Sequence, residues 1–282
     1  MKKRLLIGGI TLVMLFSSNL LNAGVGQRLS AGEAEILFEF IDPDPSKSSS
    51  PEGIAFDQVG NMYISMRTYG NSGIVAAEIL KITPQGDESV LADFPPGGSG
   101  VLGLETDMMG NVYAAVATWN ESHGVWKIYP DGTKMHLAGS KNLMYPDGLT
   151  MDRQGNLYVT DYDPALSSAG HVWKYSARDG SFTPWLSSPF LVGGLDPMGN
   201  PMGGANGIVF SPPNNIYIGN TQKSLVVHVP VMTDGSAGEV TLLTAGPPVV
   251  NPDGMGVDAH GNVYVAIPVA TFPDWFWDLF GG

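Results

Sequence analysis

Residues 251–266 read NPDGMGVDAHGNVYVA, and this stretch decides the fold because it recurs along the chain. Its first glycine is followed four residues later by an aspartate and ten residues later by a tyrosine, with a Gly-Asn pair between them. Four related stretches occur elsewhere in the chain, and one of them departs from this pattern by carrying Ser211 in place of the aspartate and an Asn-Asn pair in place of Gly-Asn. The relatives are PEGIAFDQVGNMYIS from Pro51, VLGLETDMMGNVYAA from Val101, PDGLTMDRQGNLYVT from Pro146 and ANGIVFSPPNNIYIG from Ala205.

Each copy of this motif predicts two antiparallel strands joined by a tight turn. Apolar residues alternate before the turn, Asp-x-x-Gly-Asn supplies the turn itself, and a run rich in Tyr, Val and Ile follows. Between copies lie further strand-like pieces, such as GVWKIYPDG followed by TKMHLAG, which makes four strands per unit. Four-stranded units at glycine-to-glycine intervals of 50, 45, 59 and 47 residues predict an all-β fold, a β-propeller. A β-sandwich has no reason to repeat one signature five times.

The N-terminus predicts export. Lys2, Lys3 and Arg4 precede an apolar run that is short for a membrane span, and Ala23 closes a small-residue end, so we expect a secretory signal peptide over residues 1–23. An uncleaved anchor is the alternative. Cleavage would remove three positive charges and move the net charge from -13 to -16. We therefore expect a periplasmic or secreted β-propeller domain over residues 24–282, with no nucleic-acid partner and no membrane association after cleavage.

The residue before each motif glycine varies in a way that points to a metal site. In a propeller this position borders the central channel, and here it is Glu52, Leu102, Asp147, Asn206 and Asp253 in chain order. Four of the five are oxygen donors, and carboxylates aimed at one channel repel one another unless a cation lies between them. Oxygen-only ligands favour Ca²⁺, then Mg²⁺ or Mn²⁺. The alternative is structural, because Pro-Asp-Gly and Pro-Glu-Gly are also ordinary turn formers.

At these residues the sequence resembles the senescence-marker-protein/gluconolactonase/luciferin-regenerating family of six-bladed propellers. The resembling elements are PEGIAFD, GGANGIVFSPPNNIYIGNT and NPDGMGVDAHGNVYVA. The resemblance implies that Glu52, Asn206 and Asp253 hold a divalent metal ion, and that the chain hydrolyses a lactone or a related ester.

The sequence departs from that family in two places. The family's substrate-side asparagine falls at Pro146, which leaves Asp147 as the nearest polar group and puts gluconolactone specificity in doubt. The chain also ends soon after Ala266, so we expect a six-bladed type with five visible motifs, the last blade incomplete, and a truncated or frameshifted product. We expect EAEILFEF, from Glu33, to pair beside the last blade.

The residues leave three functional readings open. The first is a calcium-dependent lactonase or esterase with Asp147 as general base or substrate contact. The second is a non-catalytic binding propeller for a protein or glycan, and the third is a structural calcium site with the same ligands. No Gly-x-Ser-x-Gly elbow is present, and zero cysteines exclude disulfides and thiolate sites. The sequence does not say which protein, if any, is a partner.

One insertion explains the longest interval between motifs. Residues 191–204 read LVGGLDPMGNPMGG, and they predict either a lid over the site or a Gly/Pro loop without order. Substrate specificity in the enzyme reading would come from loops of this kind.

Overall fold

The protein is all-β over the residues that the computed structural model describes, which are 46–71, 73–162, 170–195, 198–199 and 201–267. Those ranges contain twenty strands, two short 3-10 turns and no α-helix. No helix among them has the length and apolar character needed to span a membrane. The predicted signal peptide, the strand from Glu33 and the stretch after Ile267 lie outside the described residues. The chain divides into two compact units, residues 1–135 and 136–282, and each is described by itself.

The first unit contains two four-stranded antiparallel sheets, each in simple up-and-down order. One is built from β1 (Ser48–Phe56), β2 (Met62–Gly70), β3 (Gly73–Ile82) and β4 (Glu88–Phe94). The other is built from β5 (Gly100–Thr106), β6 (Val112–Ala117), β7 (Gly124–Ile128) and β8 (Lys134–His136). The boundary between the two units falls within β8, between Met135 and His136. Apolar residues of both sheets form one core, in which Ile79, Val101 and Val116 are fully buried.

The second unit contains two more sheets of this kind and the start of a third. The first complete sheet is β9 (Pro146–Met151), β10 (Leu157–Asp161), β11 (Gly170–Tyr175) and β12 (Phe182–Ser188). The second is β15 (Ala205–Ser211), β16 (Asn215–Asn220), β17 (Leu225–Pro230) and β18 (Thr241–Ala245). The third shows β19 (Met255–Val257) and β20 (Val263–Val265) within the described residues. The prediction of four strands per motif is therefore confirmed for four of the five copies, and the six-blade count stays a prediction.

The turn of each motif is organised by its aspartate. In the third copy, Asp152 Oδ1 accepts the backbone N–H groups of Gln154 and Asn156 at 2.9 Å each. Its Oδ2 accepts the Asn156 amide at 2.8 Å and the Tyr158 hydroxyl at 3.1 Å. The copies at Asp57, Asp107 and Asp258 repeat these four hydrogen bonds. One carboxylate thus satisfies four donors, which explains why Asp, Asn and Tyr recur at fixed offsets.

The fourth copy, which lacks the aspartate, is built differently. Its turn contains a cis peptide bond between Pro212 and Pro213. Its tyrosine, Tyr217, packs against the ring of His228 at 5.2 Å between centroids, and the His228 ring also hydrogen-bonds Asn215 at 2.8 Å. In this copy a histidine of the third strand therefore packs against the motif tyrosine, whereas in the other copies the tyrosine hydrogen-bonds the turn aspartate.

The insertion at residues 191–204 contains a short hairpin over its described part. Strand β13 (Gly194–Leu195) pairs with β14 (Pro201–Met202), and the Gln222 amide donates to the Leu195 carbonyl at 3.2 Å. A Cβ atom on Gly204 would collide with the Leu191 carbonyl, so the two ends of the insertion touch through backbone that only glycine permits. The described part of this Gly-rich segment is therefore ordered by close backbone contact.

Candidate functional site

In each of the four complete sheets, the residue before the motif glycine lies in a β-bulge. Pro146 and Leu149 of β9 pair with Asp161 and Val159 of β10, so three residue steps on one strand face two on the other. The same one-residue excess occurs at Glu52–Gly53, Leu102–Gly103 and Asn206–Gly207. Bulges re-aim side chains and are frequent beside active sites. The residue before the motif glycine, which the sequence predicted to line the channel, therefore lies where the first strand of each sheet departs from regular pairing.

The motif glycines let successive sheets approach closely at these bulges. A Cβ atom on Gly148 would lie 2.5 Å from the Asn206 carbonyl oxygen, and one on Gly207 would collide with the Asp253 carbonyl. In the first unit, Gly53 meets the Leu102 carbonyl in the same way. Each glycine is therefore required because the backbone of the next motif copy occupies the space of its side chain. In the second unit this places Asp147 next to Asn206, and Asn206 next to Asp253.

In the first unit, the predicted metal ligand Glu52 forms an ion pair with Arg67. Arg67 lies on β2 and its guanidinium also packs 5.9 Å from the centre of the Tyr69 ring. The side chains are 25% exposed for Glu52 and 14% for Arg67, so the pair is partly shielded from water. The next bulge residue, Leu102, is buried at 2% exposure and supplies no donor. Of the first unit's two residues that precede a motif glycine, one is a carboxylate, and its charge is matched by an arginine.

In the second unit, the residues that precede the motif glycines supply three oxygen donors, two of them at β-bulges (Asp147 and Asn206) and one just before β19 (Asp253). Asp147 is 8% exposed, whereas Asn206 and Asp253 are half-buried. Within the described residues, the Asn206 carboxamide makes no hydrogen bond, so its oxygen remains free to bind a ligand. A carboxylate as buried as Asp147 is costly unless it is paired or hydrogen-bonded. The set therefore combines a buried carboxylate with two accessible oxygen donors.

A tyrosine that the sequence did not single out lies beside these carboxylates. Burial, followed by the negative charge of Asp147, raises the pKa of Tyr162 to about 12, and Asp253 adds to the same effect. The Tyr162 hydroxyl therefore lies within electrostatic range of both carboxylates. The hydroxyl of Tyr162 stays protonated at neutral pH, so it can donate a hydrogen bond there.

Tyr162 is held in place by its neighbours on the same unit. Its backbone N–H donates to the Tyr145 carbonyl at 2.9 Å, and the two rings pack with centroids 5.7 Å apart. Gly203 lies against its ring, where a Cβ atom would collide. Asp161, which is buried, accepts the backbone N–H groups of Met144 at 3.0 Å and Tyr145 at 2.7 Å. The loop that leads into the Asp147 bulge is therefore fixed by the residue next to Tyr162.

The second unit's donor set fits a hard divalent cation. Its ligands are carboxylate and amide oxygens, which Ca²⁺ and Mg²⁺ prefer, and no sulfur or imidazole belongs to it. Over the described part of the chain, no group of three His, Cys, Asp or Glu side chains is arranged to hold a metal ion. The ligand set predicted from the sequence (Glu52, Asn206 and Asp253) contains only two carboxylates, and its third member is an amide, so it is not a group of three such side chains. Glu52 belongs to the other unit, and its membership of the set stays a prediction.

Several residues of this region were missed in the sequence because their signal is local. Thr160 and Asp161 end the β10 strand and Tyr162 follows it, where the second copy has Ala115, Val116 and Ala117. A change from small apolar residues to polar ones at matched offsets was the available signal. Arg67 had no comparable signal, since nothing in its offset from Glu52 indicates a pair.

A family model for the SMP-30/gluconolactonase/LRE-like region matches residues 187–271. This match covers the motif copies that contain Asn206 and Asp253, and it confirms the resemblance over that part of the chain. A comparison with curated proteins found no match.

Among solved structures, three similar ones show the fold. A chain of the nidogen/laminin complex is 15% identical over 83% of this chain and 76% of that chain, with a TM-score of 0.59. The gluconolactonase XC5397 from Xanthomonas campestris is 20% identical over 77% and 69%, with a TM-score of 0.57. A luciferin-regenerating enzyme is 15% identical over 77% and 68%, with a TM-score of 0.52. The chain is a β-propeller, as its repeat predicted.

Proposed function

We propose, from the premise that residues 187–271 form an SMP-30/gluconolactonase/LRE-like region, that the chain hydrolyses a small-molecule lactone or ester with the help of a divalent cation. The cation is Ca²⁺ in the first instance, with Mg²⁺ or Mn²⁺ as the other candidates. Its ligands are the residues predicted from the sequence, Glu52, Asn206 and Asp253.

The observation that carries this proposal is the set of oxygen donors at matched motif positions. Asp147, Asn206 and Asp253 occupy the same motif position in three successive sheets, and each adjoins the next through a motif glycine. A purely structural repeat needs the glycine at this position but does not need an oxygen donor before it. Leu102 illustrates this, since it occupies the equivalent position and is apolar.

In this proposal, two side chains of the second unit act on the substrate or on the attacking water. Asp147, which is buried, is the residue that we assign to take a proton from a water molecule or to bind a substrate hydroxyl. Tyr162 stays protonated and can donate a hydrogen bond to a substrate oxygen. When bound, the cation would polarise the substrate carbonyl and stabilise negative charge that develops on its oxygen.

A second function, a non-catalytic binding propeller with a structural cation, is favoured by one observation. Glu52 already pairs with Arg67, and an arginine on a ligand carboxylate competes with a cation for that carboxylate. In this reading the unit presents its loops to a protein or glycan and turns over no ester.

Calcium calorimetry on the purified full-length chain, together with an Asp253→Ala variant, tests the proposal. Saturable binding of about one ion per chain that is lost in Asp253→Ala supports the cation site. Asp234→Ala is the matched control, because Asp234 is an exposed turn residue of the same family region and accepts only from Ser236 in its described contacts. No binding by a folded wild-type chain overturns the proposal.

A pH-stat assay with a panel of lactones and aryl esters then separates the two functions. Turnover that requires the cation and falls with Asp253→Ala supports the hydrolase. Cation binding without turnover of any member of the panel favours the binding propeller.

Export is proposed on the N-terminal sequence alone. The basic residues before the apolar run predict cleavage after Ala23, and the acidic mature chain would then work in the periplasm or outside the cell. N-terminal sequencing of the protein recovered from the culture medium or periplasm tests this, and an intact Met1 in an exported fraction would contradict it.

A further inference from the structure

One hydroxyl joins the two bulges that carry Asp147 and Asn206. Thr160 lies on β10 opposite the Asp147–Gly148 bulge and is fully buried. Its Oγ1 accepts the Gly148 N–H at 2.8 Å and donates to the Asn206 carbonyl at 2.6 Å. A single side chain therefore sets the spacing between the backbones of two neighbouring site residues.

We propose that Thr160 is a positioning residue of the candidate site, which holds the Asn206 backbone, and with it the Asn206 carboxamide, beside Asp147. The inference rests on the proposed cation function. It follows from where the bridge lies: Gly148 has no side chain to keep the Asn206 carbonyl at a distance, so the hydroxyl is what fixes the approach. A ligand must be held within about 0.5 Å of its working geometry, and supporting groups of this kind set that geometry.

An equivalent hydroxyl bridge between two other motif copies shows that such a bridge also supports the fold where no ligand residue is present. Ser65 occupies the equivalent position on β2, accepts the Gly53 N–H at 2.6 Å and donates to the Leu102 carbonyl at 2.6 Å, where the bridged residue is apolar. At the junction that carries Asp253, the equivalent residue is Gly219, and Thr221 donates to the Pro252 carbonyl at 2.8 Å instead. The test must therefore separate positioning of a ligand from simple support of the fold.

Thr150 provides the control for that separation. It is buried on β9, and its Oγ1 accepts the Phe210 N–H of β15 at 2.8 Å. Like Thr160, it joins the sheet of Asp147 to the sheet of Asn206, but it does so at a distance of four residues from Asn206 along β15. Replacing either threonine with valine at nearly constant volume removes one inter-sheet hydrogen bond, and Thr160→Val also removes the acceptor of the Gly148 N–H within its own sheet.

The experiment measures Ca²⁺ affinity by calorimetry and the melting temperature by circular dichroism for the full-length chain and its Thr160→Val, Thr160→Ser and Thr150→Val variants. We expect Thr160→Val to weaken Ca²⁺ binding by roughly 10–100-fold, as loss of a group that orients a metal ligand does. Thr160→Ser, which keeps the hydroxyl, and Thr150→Val should stay within about 2-fold of wild type. Should Thr160→Val not fold, Thr160→Cys takes its place, with a smaller loss in the same direction because a thiol is a weak donor.

The outcomes are distinct. Unchanged affinity in Thr160→Val, or equal losses in Thr160→Val and Thr150→Val, overturns the positioning role and leaves the cation function intact. A wild-type chain that is folded and binds no Ca²⁺ overturns the cation function and the positioning role together.

Discussion

The hydroxyl of Tyr158 donates to Oδ2 of Asp152 across 3.1 Å, and both residues are buried. Tyr158 lies at the centre of its sheet's packing, with its ring 4.8 Å from that of Trp185 and the ammonium of Lys174 5.3 Å from its centre. The turn carboxylate is thereby joined to the core that lies behind the motif. This explains why aspartate and tyrosine recur together at a separation of six residues in four of the five copies.

We expect Asp152→Ala to destabilise the protein by roughly 3 kcal/mol, because four donors lose a buried, charged acceptor. Urea unfolding followed by fluorescence measures this free energy. Ser211→Ala is the matched control, since Ser211 holds the equivalent position in the fourth copy and its side chain makes no hydrogen bond within the described residues. Equal losses in the two variants would contradict the role of the carboxylate.

Gly148→Ala is expected to destabilise the protein by about 3 kcal/mol, because the new methyl group would lie 2.5 Å from the Asn206 carbonyl oxygen and backbone cannot move aside easily. Gly254→Ala occupies the same motif position in the last copy, where nothing described lies within 4 Å of a Cβ atom. That variant should remain within about 1 kcal/mol of wild type. Melting temperatures of the two variants decide the point, and a tolerated Gly148→Ala would show that the bulges do not touch as described.

We expect the Asp258 carboxylate to stabilise the folded protein at neutral pH and to lose this contribution in acid. The hydrogen bond from the Asn262 amide, opposed by burial, lowers the pKa of Asp258 from 3.8 to about 2. Because the folded-state pKa is the lower one, this contribution is present above about pH 4 and is lost as the pH falls towards 2. An NMR titration of the Asp258 carboxyl carbon should therefore have its midpoint near 2.

Asn262→Ala is the control for that titration, since it removes the largest cause of the shift. The midpoint should then rise towards the ordinary value of 3.8. A midpoint that is already ordinary in the wild-type chain would mean that the turn of the last copy is not formed.

Much of the fold could be read from the sequence because its causes are local. The Asp, Asn and Tyr of each motif contact one another within six residues, so their spacing carries the turn and both strands. The turn glycines were also predictable: Gly60 and Gly155 have φ values of 87° and 80°, as the Gly-Asn pair requires.

The candidate site was predictable only at the level of position. The bulge residues were found because they precede a recurring glycine, but the reason for that glycine is a carbonyl from the next sheet, 58 residues away in the case of Gly148 and Asn206. Partners at such separations leave no spacing to read. Tyr162 and Arg67 lie only 15 residues after Asp147 and Glu52, but these interactions also depend on how paired strands meet and not on an offset within the motif.

Asp147→Asn separates catalysis from cation binding. If Asp147 is the general base, its loss should lower kcat by about 100-fold or more, because an amide cannot take a proton. Ca²⁺ affinity should change by less than about 5-fold, since the proposed ligands are Glu52, Asn206 and Asp253. Steady-state kinetics on the lactone or ester that the wild-type chain turns over, with calorimetry beside it, measures both quantities. Asp179→Asn, in an exposed turn of the same sheet, is the control and should alter neither. A joint loss of Ca²⁺ binding and turnover in Asp147→Asn would instead make Asp147 a cation ligand, and full activity would remove it from the site altogether.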